Sequence, residues 1–307
     1  MEETEKSSAV AAQVWNASPA LKEEVREYWE RHPNAVNIGI GLVQGSKEFF
    51  ETIARHRYTA EPCLQEMAQF SRWHGKRVLE IGCGIGTDLR QFSRGGAAVV
   101  GLDLTVEGVR MARKGFAVFG LSGDFVVADA EALPFVSDAF DLIYSNGVIH
   151  HTPDIEAAVS EIHRVVKVGG ESLIMVYHRN SYFARVMVQA ILIPAIWILL
   201  WLFPHGILPG WLRLPMGIEN IYRITFEKGF SGETVFAAST DLSMPGSGNS
   251  NPLSHAYSRR DAARMFSAFI SCKICVRQLY HLKFLPPALQ RWIERRAGWF
   301  LFVRAAK

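Results

Sequence analysis

The chain has 307 residues, of which 49% are hydrophobic and 21% charged, and its formal net charge is +3. The apolar fraction is enough to fill a large core, and it excludes a disordered or fibrous protein. The length fits about two domains, or one α/β domain with an insertion. Positive charge is concentrated near the end, because residues 259–307 contain eleven Lys or Arg against two acids. Such a segment suits an anionic substrate, a membrane surface, nucleic acid or solvent.

Cysteine usage and the first residues indicate the compartment. Four cysteines are too few for a disulfide scaffold in a chain of this length. Cys272 and Cys275 form a lone CxxC without the second pair that a zinc site needs, so we expect neither a metal site nor a redox role. The first fifteen residues carry acids and lack the apolar stretch of a secretory signal. We therefore expect a cytoplasmic protein.

Residues 1–74 are predicted to form a helical cap. Ala20–Arg31 carries its apolar side chains on one stripe and ends at a His-Pro-Asn sequence that stops a helix. Further helices are predicted for Lys47–His56 and Pro62–Trp73.

Residues 75–180 have a different pattern, in which short apolar runs alternate with helical stretches. This alternation is typical of a parallel sheet that helices cover on both faces. The predicted strands are Arg77–Ile81, Ala97–Leu102, Asp124–Ala128, Phe140–Tyr144 and Glu171–Tyr177. The helices between them include Val106–Arg113 and Ile155–Val166.

Residues 181–257 interrupt this pattern with an apolar insertion. Val186–Phe203 contains Gln189 as its only strongly polar side chain, and its 18 residues reach the threshold of a transmembrane helix. A single crossing would leave the following strands on the far side of the bilayer, and no second apolar run follows. Three interpretations remain open: a lid over an apolar pocket, an insertion into one leaflet, or a homodimer interface. We favour a lid that contacts a membrane surface through residues 186–212, because flanking arginines suit anionic headgroups.

Residues 258–307 are predicted to complete the core. Ser258–Phe269 begins with a serine cap and is predicted to be a helix, as is Pro286–Arg296. Lys273–Leu282 and Gly298–Ala305 are predicted to be the last two strands.

The first predicted strand runs directly into a glycine-rich turn, RVLEIGCGIG, which is followed by a helix. Glycines at 82, 84 and 86 allow a sharp turn and a close approach of the backbone to a ligand beside a helix N-terminus. The dinucleotide-binding fingerprint G-x-G-x-x-G/A would place its third glycine where this chain has Thr87. The spacing therefore disfavours an NAD-dependent oxidoreductase.

Polar side chains recur where the predicted strands end. Asp103 follows the second strand, where an acid can accept both ribose hydroxyls of an adenosine. Asp129 follows the third strand and is placed to accept a hydrogen bond from an adenine amino group. Asn146 belongs to the fourth, whereas Asp141 in the same run is expected to be a strand-end residue with a structural role. Because open α/β sheets bind ligands at the carboxyl ends of their strands, these residues predict one site.

The motifs VLEIGCGIG, GLDLT, VVADAEALPF, FDLIYSNGVIHHTPD and EIHRVVKVGGESLIMVYHR, in this order, resemble the class I S-adenosylmethionine-dependent methyltransferases. The nearest resemblance is to the type 11 branch, which includes ubiquinone and menaquinone C-methyltransferases. It covers about Gly75–His178. It implies S-adenosylmethionine as cofactor and a Rossmann-like, doubly wound sheet of seven strands with an antiparallel last strand. Within that α/β fold, the cap precedes the cofactor-binding core and the insertion lies between strands 5 and 6.

The resemblance also implies roles for individual residues. The methionine moiety would be held by Glu80, Gly82, Cys83, Gly84 and Gly86. The ribose and adenine would be held by Asp103, Leu104, Asp129, Ala130 and Asn146. Substrate contacts are expected from Tyr58, Tyr177 and His178.

Two adjacent histidines follow the fourth strand. A base is needed only where the acceptor must lose a proton, and a histidine suits that task. In sugar O-methyltransferases that resemble this chain, a histidine pair at this position acts as the base. We therefore expect His151, or else His150, to be catalytic in a transfer that needs no metal.

These features together predict a methyltransferase that acts on a small lipophilic or amphiphilic acceptor, such as a quinone, an isoprenoid, a polyketide-like compound or a lipid-linked compound. A nucleic-acid methyltransferase is an alternative that only the basic end of the chain supports. A third alternative is an S-adenosylmethionine-binding partner protein without catalysis. The atom that is methylated remains open.

Overall fold

The computed structural model describes residues 19–209, 212, 214, 216–240, 251–279, 282 and 284–307. The remainder of the predicted cap (1–18), Arg213 beside the apolar insertion, and most of the polar loop that follows it (241–250) lie outside the described residues.

A mixed sheet forms the centre of the molecule. Its strands are β1 (Arg77–Ile81), β2 (Ala98–Asp103), β3 (Asp124–Val127), β4 (Phe140–Asn146), β5 (Val166–His178), β6 (Ala256–Tyr257), β7 (Ser271–Arg277) and β8 (Phe300–Ala306). The order across the sheet is β3-β2-β1-β4-β5-β8-β7, and the short β6 pairs with the end of β5. Strands β1 to β5 are parallel to one another, whereas β8 is antiparallel to both of its neighbours. The predicted Rossmann-like sheet with an antiparallel last strand is therefore confirmed.

Helices cover both faces of the sheet. They are α1 (Pro19–Arg31), α2 (Lys47–Ala60), α3 (Cys63–Ala68), α4 (Thr87–Arg94), α5 (Val106–Val118), α6 (Ile155–Val165), α10 (Arg259–Met265) and α11 (Pro287–Ala297). Short polar side chains begin several of them. Ser46 accepts a hydrogen bond from the Phe49 amide, and Ser258 forms a capping box with Asp261. Apolar strand residues pack against the helices in one core on each face of the sheet.

The apolar insertion forms three helices beside the sheet. They are α7 (Phe183–Leu202), whose first half is π-helical, α8 (Met216–Lys228) and α9 (Gly232–Thr240). Val188 and Ile196 on α7 pack with Tyr222 and Val235 in a small core of their own. By length and composition α7 could cross a membrane, with a mean hydropathy of 2.1, and only 17% of its apolar window is buried.

The CxxC sequence lies on the edge strand β7. Side chains three residues apart in a strand point to opposite faces, so Cys272 and Cys275 diverge. Among the described residues, no cluster of three or more His, Cys, Asp or Glu side chains is arranged to hold a metal ion.

Candidate active site

A cavity of about 710 Å³ opens at the carboxyl edge of the sheet. Its walls come from the ends of β1, β2, β4 and β5, from the helical cap, and from both ends of the insertion. Phe183 opens α7 and Thr240 closes α9, and both line the cavity. Ten of the predicted cofactor and catalytic residues lie on its wall. They are Glu80, Gly82, Cys83, Gly84, Asp103, Leu104, Asp129, Ala130, Asn146 and His151.

The glycine-rich turn after β1 brings backbone to the cavity edge. Gly82 has a φ of +72°, and a Cβ there would lie 2.3 Å from a methyl group of Val148. Gly84 has a φ of +49°, and a Cβ there would meet open space. The turn therefore needs glycine at Gly82 for both conformation and packing, and at Gly84 it leaves room for a ligand. Gly86 is packed behind the turn against α5.

Asp103, the last residue of β2, binds the turn that follows β1 through its carboxylate. Its Oδ2 accepts a hydrogen bond of 2.7 Å from the Gly84 amide, and its Oδ1 accepts bonds from the amide and hydroxyl of Thr105. Burial raises the pKa of Asp103, and the hydrogen bonds from Thr105 and Gly84 oppose that rise. The hydrogen bonds from Gly84 and Thr105 thus fix the carboxylate of Asp103 on the cavity wall.

Helix α1 closes the cavity on the Asp129 side. Lys22 Nζ lies 2.5 Å from Asp129 Oδ2 and also pairs with Glu131. At the other end of the helix, Glu30 accepts hydrogen bonds of 2.9 Å from the amides of Val106 and Glu107 at the start of α5. Neither contact was predicted from the sequence, because Lys22 and Glu30 form no motif with the residues that they bind.

A buried ionic network lies beneath the glycine turn. Arg57 on α2 makes two hydrogen bonds to Asp88 on α4, at 2.9 and 2.6 Å, and the hydroxyls of Tyr58 and Tyr144 also donate to Asp88. Burial opposes ionisation of Asp88, but the Arg57 guanidinium and these hydrogen bonds lower its pKa overall. Asp88 was not among the predicted site residues, although its position two residues after Gly86 was a usable signal.

Glu80, the last acid before the turn, is only 5% exposed. Its Oε2 has no hydrogen-bond partner among the described residues. Burial raises the pKa of Glu80 well above its ordinary value, and the nearby Asp88 carboxylate adds to the rise. Glu80 is therefore a buried acid on the cavity wall whose ionised form is disfavoured by its surroundings.

His151 lines the cavity in a short helical turn after β4. Its Nδ1 lies 2.8 Å from the carbonyl oxygen of Leu253 and 2.6 Å from Asn251 Nδ2. Burial lowers the pKa of His151 to about 4. The last part of the insertion thus holds Nδ1 of this ring. The contacts of Asn251 and Leu253 with His151 were not predicted from the sequence.

The other four residues predicted to be catalytic or to bind substrate do not all lie on the cavity wall. Tyr177 lines the cavity, whereas His150, Tyr58 and His178 do not. His150 is fully buried behind His151, between His151 and Tyr177. The Tyr58 hydroxyl points to Asp88. The ring of His178 lies 3.0 Å from the carbonyl oxygen of Gly298, in the closing part of the sheet. Of the two adjacent predicted residues at the end of β5, only Tyr177 lines the cavity, because neighbouring strand residues alternate between faces.

Residues 79–174 match the family described as "Methyltransferase domain". This part of the chain is thus similar to a methyltransferase domain. A ubiquinone biosynthesis O-methyltransferase of Chelativorans sp. is 33% identical over 108 residues, which are 35% of this chain and 43% of the relative. A malonyl-[acyl-carrier protein] O-methyltransferase of Erwinia billingiae is 32% identical over 120 residues, 39% of this chain and 46% of the relative. The chain thus spans less than half the length of these curated relatives.

The methyltransferase domain also has the fold of solved structures. The magnesium protoporphyrin IX methyltransferase of Synechocystis PCC 6803, solved with bound SAH, aligns with a TM-score of 0.52 and 13% identity. The alignment covers 94% of this chain and 99% of that one. At this identity the likeness establishes the fold.

The residues present fit S-adenosylmethionine, the cofactor of this family. The cavity offers an open backbone face at Gly84, and carboxylates at the ends of β2 and β3. It also offers two buried oxygens, Glu80 Oε2 and Asn146 Oδ1, that have no partner among the described residues. Such oxygens are costly to bury unpaired, so they suit a ligand that carries donors.

Proposed function

We propose that this chain is an S-adenosylmethionine-dependent methyltransferase that acts on a small lipophilic acceptor. The observation that carries the proposal is the shape of the cavity, which is continuous from the glycine turn and Asp103 to an aromatic wall beside His151. A cofactor and an acceptor would therefore share one cavity, which would hold the two reactants side by side as a transfer reaction requires.

S-adenosylmethionine supplies, when bound, a methyl group that is already strongly electrophilic. The chain's own task is then to orient the two reactants and exclude water. Asp103 would hold the ribose, Asp129 the adenine, and the turn with Glu80 and Asn146 the methionine portion. Helix α1 covers the side of the cavity where Lys22 meets Asp129.

His151 is proposed as the base for an acceptor hydroxyl. Burial keeps its ring neutral above about pH 5, because its pKa is lowered to about 4. In the tautomer whose Nδ1–H donates to the Leu253 carbonyl, Nε2 carries the lone pair that would take a proton from the acceptor. The proposal makes His151 the catalytic residue and gives His150 a packing role behind it.

The lipophilic character of the acceptor is inferred from the wall around His151. Trp29, Met175, Tyr177, Phe183 and Trp299 line this part of the cavity. Tyr177 and Trp299 are stacked, with ring centroids 4.4 Å apart. Walls of this kind bind flat or extended apolar molecules and use few polar groups for orientation. The names of the relatives, which include a ubiquinone biosynthesis O-methyltransferase, agree with such an acceptor.

We also propose that residues 186–212 contact a membrane surface. The support is α7, an apolar helix of which only 17% of the apolar window is buried in the structure. Its first residue, Phe183, reaches the cavity. A lipophilic acceptor dissolved in a bilayer would then be close to the site that uses it.

Calorimetric titration with S-adenosylmethionine, S-adenosylhomocysteine and NAD tests the cofactor, with Asp103→Asn as the site variant. We expect both adenosyl compounds to bind, and the variant to lose about 1.5–3 kcal/mol of binding, or roughly ten- to a hundredfold in affinity, because charge-assisted hydrogen bonds have this strength. Asp141→Asn is the matched control, since Asp141 also belongs to a strand but pairs with Lys167 outside the cavity. Binding of NAD alone, or equal loss in both variants, would contradict the proposal.

A panel of quinols, isoprenoid phenols and acyl-carrier-bound acids then tests the acceptor. Methylation of an apolar phenol in preference to polar analogues is the expected result. Methylation of RNA, or no product from any acceptor despite cofactor binding, would favour the alternatives left open by the sequence.

A further inference from the structure

Glu61, the residue directly after α2, lies on the cavity wall close to the aromatic side chains that are proposed to contact the acceptor. Trp299 and Phe300, at the start of β8, line the cavity as well. The Ala60 carbonyl accepts a hydrogen bond of 2.7 Å from Gln278 Nε2, and the Gln278 carbonyl accepts one of 2.7 Å from the Trp299 amide. The end of α2 is therefore tied to the aromatic wall, and Glu61 belongs to the acceptor end of the cavity.

The two permanently charged basic side chains on the described part of the wall, Lys22 and Arg57, are both engaged by acids. Lys22 forms ion pairs with two carboxylates beside α1. The guanidinium of Arg57 makes two hydrogen bonds to Asp88, and its Nη1 lies 3.8 Å from Glu61 Oε2. An anion that entered the cavity would have to compete with these carboxylates for a counter-ion.

Acidic side chains outnumber the basic ones among the described residues of the wall. The five carboxyl groups that line the cavity are those of Glu61, Glu80, Asp88, Asp103 and Asp129. Removal of a charge from water is costly unless a counter-ion compensates for it, and like charges repel more strongly where water is excluded. The wall is therefore suited to neutral ligands and unsuited to anions.

The base proposed at His151 suits the same kind of acceptor. A carboxylic acid has already lost its proton near neutral pH and needs no base, whereas a phenol keeps its proton until it meets one. Burial lowers the pKa of His151 to about 4, so near neutral pH the ring offers no positive charge to an anion. A base without a free cation beside it fits a hydroxyl acceptor better than a carboxylate.

We propose that the cavity selects an acceptor without negative charge, a neutral phenol or alcohol rather than a carboxylic acid, and that Glu61 determines this specificity at the acceptor end. A carboxylate of similar shape would approach the Glu61 carboxylate and find both Lys22 and Arg57 engaged. A neutral hydroxyl compound meets no such repulsion. This inference rests on the proposed function and names the class of acceptor for the same site.

Equilibrium binding to the protein saturated with S-adenosylhomocysteine tests the inference without turnover. This ligand fills the cofactor part of the cavity and adds no net charge. The probes are a 4-alkylphenol, the 4-alkylbenzoate with the same chain, and the methyl ester of that benzoate. Tryptophan fluorescence follows binding, since Trp29 and Trp299 line the cavity. Near neutral pH we expect the phenol and the ester to bind about a hundredfold or more tightly than the acid, because repulsion between like charges has this strength.

Glu61→Gln keeps the size of the side chain and removes its charge, and it also leaves Arg57 with one acid instead of two. The acid should gain about five- to tenfold in affinity, whereas the phenol and the ester should change less than about twofold. Glu66→Gln is the matched control, because Glu66 on α3 pairs with Arg277 and does not line the cavity. It should leave all three affinities unchanged.

Equal affinity of the wild type for the acid and its ester would overturn the inference, and so would equal effects of the two glutamine variants. The comparison of acid and ester in the wild type needs no variant, so it remains decisive even where Glu61→Gln does not fold. Failure of S-adenosylhomocysteine to bind, or of all three probes to bind to its complex, would contradict the proposed function instead.

Discussion

His150 and His151 are neighbours in the chain, yet only one of them is placed to act on a substrate. His151 reaches the cavity, whereas His150 is stacked between His151 and Tyr177, with ring centroids 4.1 and 3.9 Å away. Neither ring nitrogen of His150 has a hydrogen-bond partner among the described residues, and burial lowers its pKa well below the ordinary value. A neutral aromatic ring supports the catalytic candidate without competing for the proton.

Substitution of His151 by glutamine tests this division of roles. We expect kcat to fall about 10²- to 10⁴-fold with a hydroxyl acceptor, since that is the usual contribution of a general base. Cofactor affinity should change little. In the wild type the rate should be constant above about pH 5 and fall in more acidic solution, as His151 gains its proton near pH 4. Steady-state kinetics from pH 4 to 9 measure both effects.

His163→Gln is the matched control, because His163 packs against Phe269 outside the cavity. Full activity in the His151 variant would exclude a base at this position and indicate an acceptor that needs no deprotonation. Equal loss in the two histidine variants would indicate damage to the fold, which thermal denaturation would show independently.

At the scale of single elements, two side chains of α1 hold this helix over the cavity by binding residues that are distant from it in the sequence. Lys22 binds residues after β3, and Glu30 binds the first amides of α5, where a carboxylate also interacts favourably with the helix dipole. Lys22 and Asp129 are partly exposed, so their ion pair is worth about 1 kcal/mol or less. A contact of that strength can open often enough for a ligand to exchange.

Lys22→Met should therefore accelerate cofactor exchange. Loss of about 0.5–1 kcal/mol predicts a roughly two- to fivefold faster dissociation of S-adenosylhomocysteine, measured by stopped-flow displacement. Hydrogen exchange in residues 19–31 should increase in parallel. Arg26→Met is the control, since Arg26 pairs with Glu23 on the same helix and links α1 to nothing else through that pair. Unchanged exchange in Lys22→Met would show that Glu30 and packing alone hold the helix.

At the scale of the whole molecule, the sheet and the strand-end residues could be predicted from the sequence, because both follow from local patterns. Parallel strands bring their carboxyl ends to one edge, so the strand pattern alone predicts that Asp103 and Asp129 lie at the same edge. Contacts across the chain could not be predicted in this way. Trp299 stacks on Tyr177, and Asn251 reaches His151, only because tertiary packing brings distant segments together.

The role of the basic segment at residues 259–307 could not be predicted from the sequence either. In the structure Arg304 pairs with Glu171 and Lys307 with Asp138, which accounts for part of its charge.

The exposed side of α7 bears on where the whole molecule is located, because it presents large apolar side chains to the surroundings. Trp197 and Trp201 are 56% and 72% exposed, while Ile196 on the opposite side is buried in the core of the insertion. A helix that is apolar on every side is normally buried in protein or in lipid. Tryptophans at such a surface are suited to the boundary between headgroups and acyl chains.

Vesicle binding tests this surface. The full chain should sediment with vesicles of mixed neutral and anionic phospholipid, and its tryptophan fluorescence should shift to shorter wavelength. Trp197→Ser with Trp201→Ser should weaken binding about tenfold or more, since burial of one large apolar side chain is worth about 1.5–3 kcal/mol. Trp292→Ser is the control, because Trp292 is 55% exposed on α11, which is not part of the insertion. Failure to bind vesicles, combined with a dimer in sedimentation velocity that the double variant dissociates, would instead assign α7 to an interface between two copies of the chain.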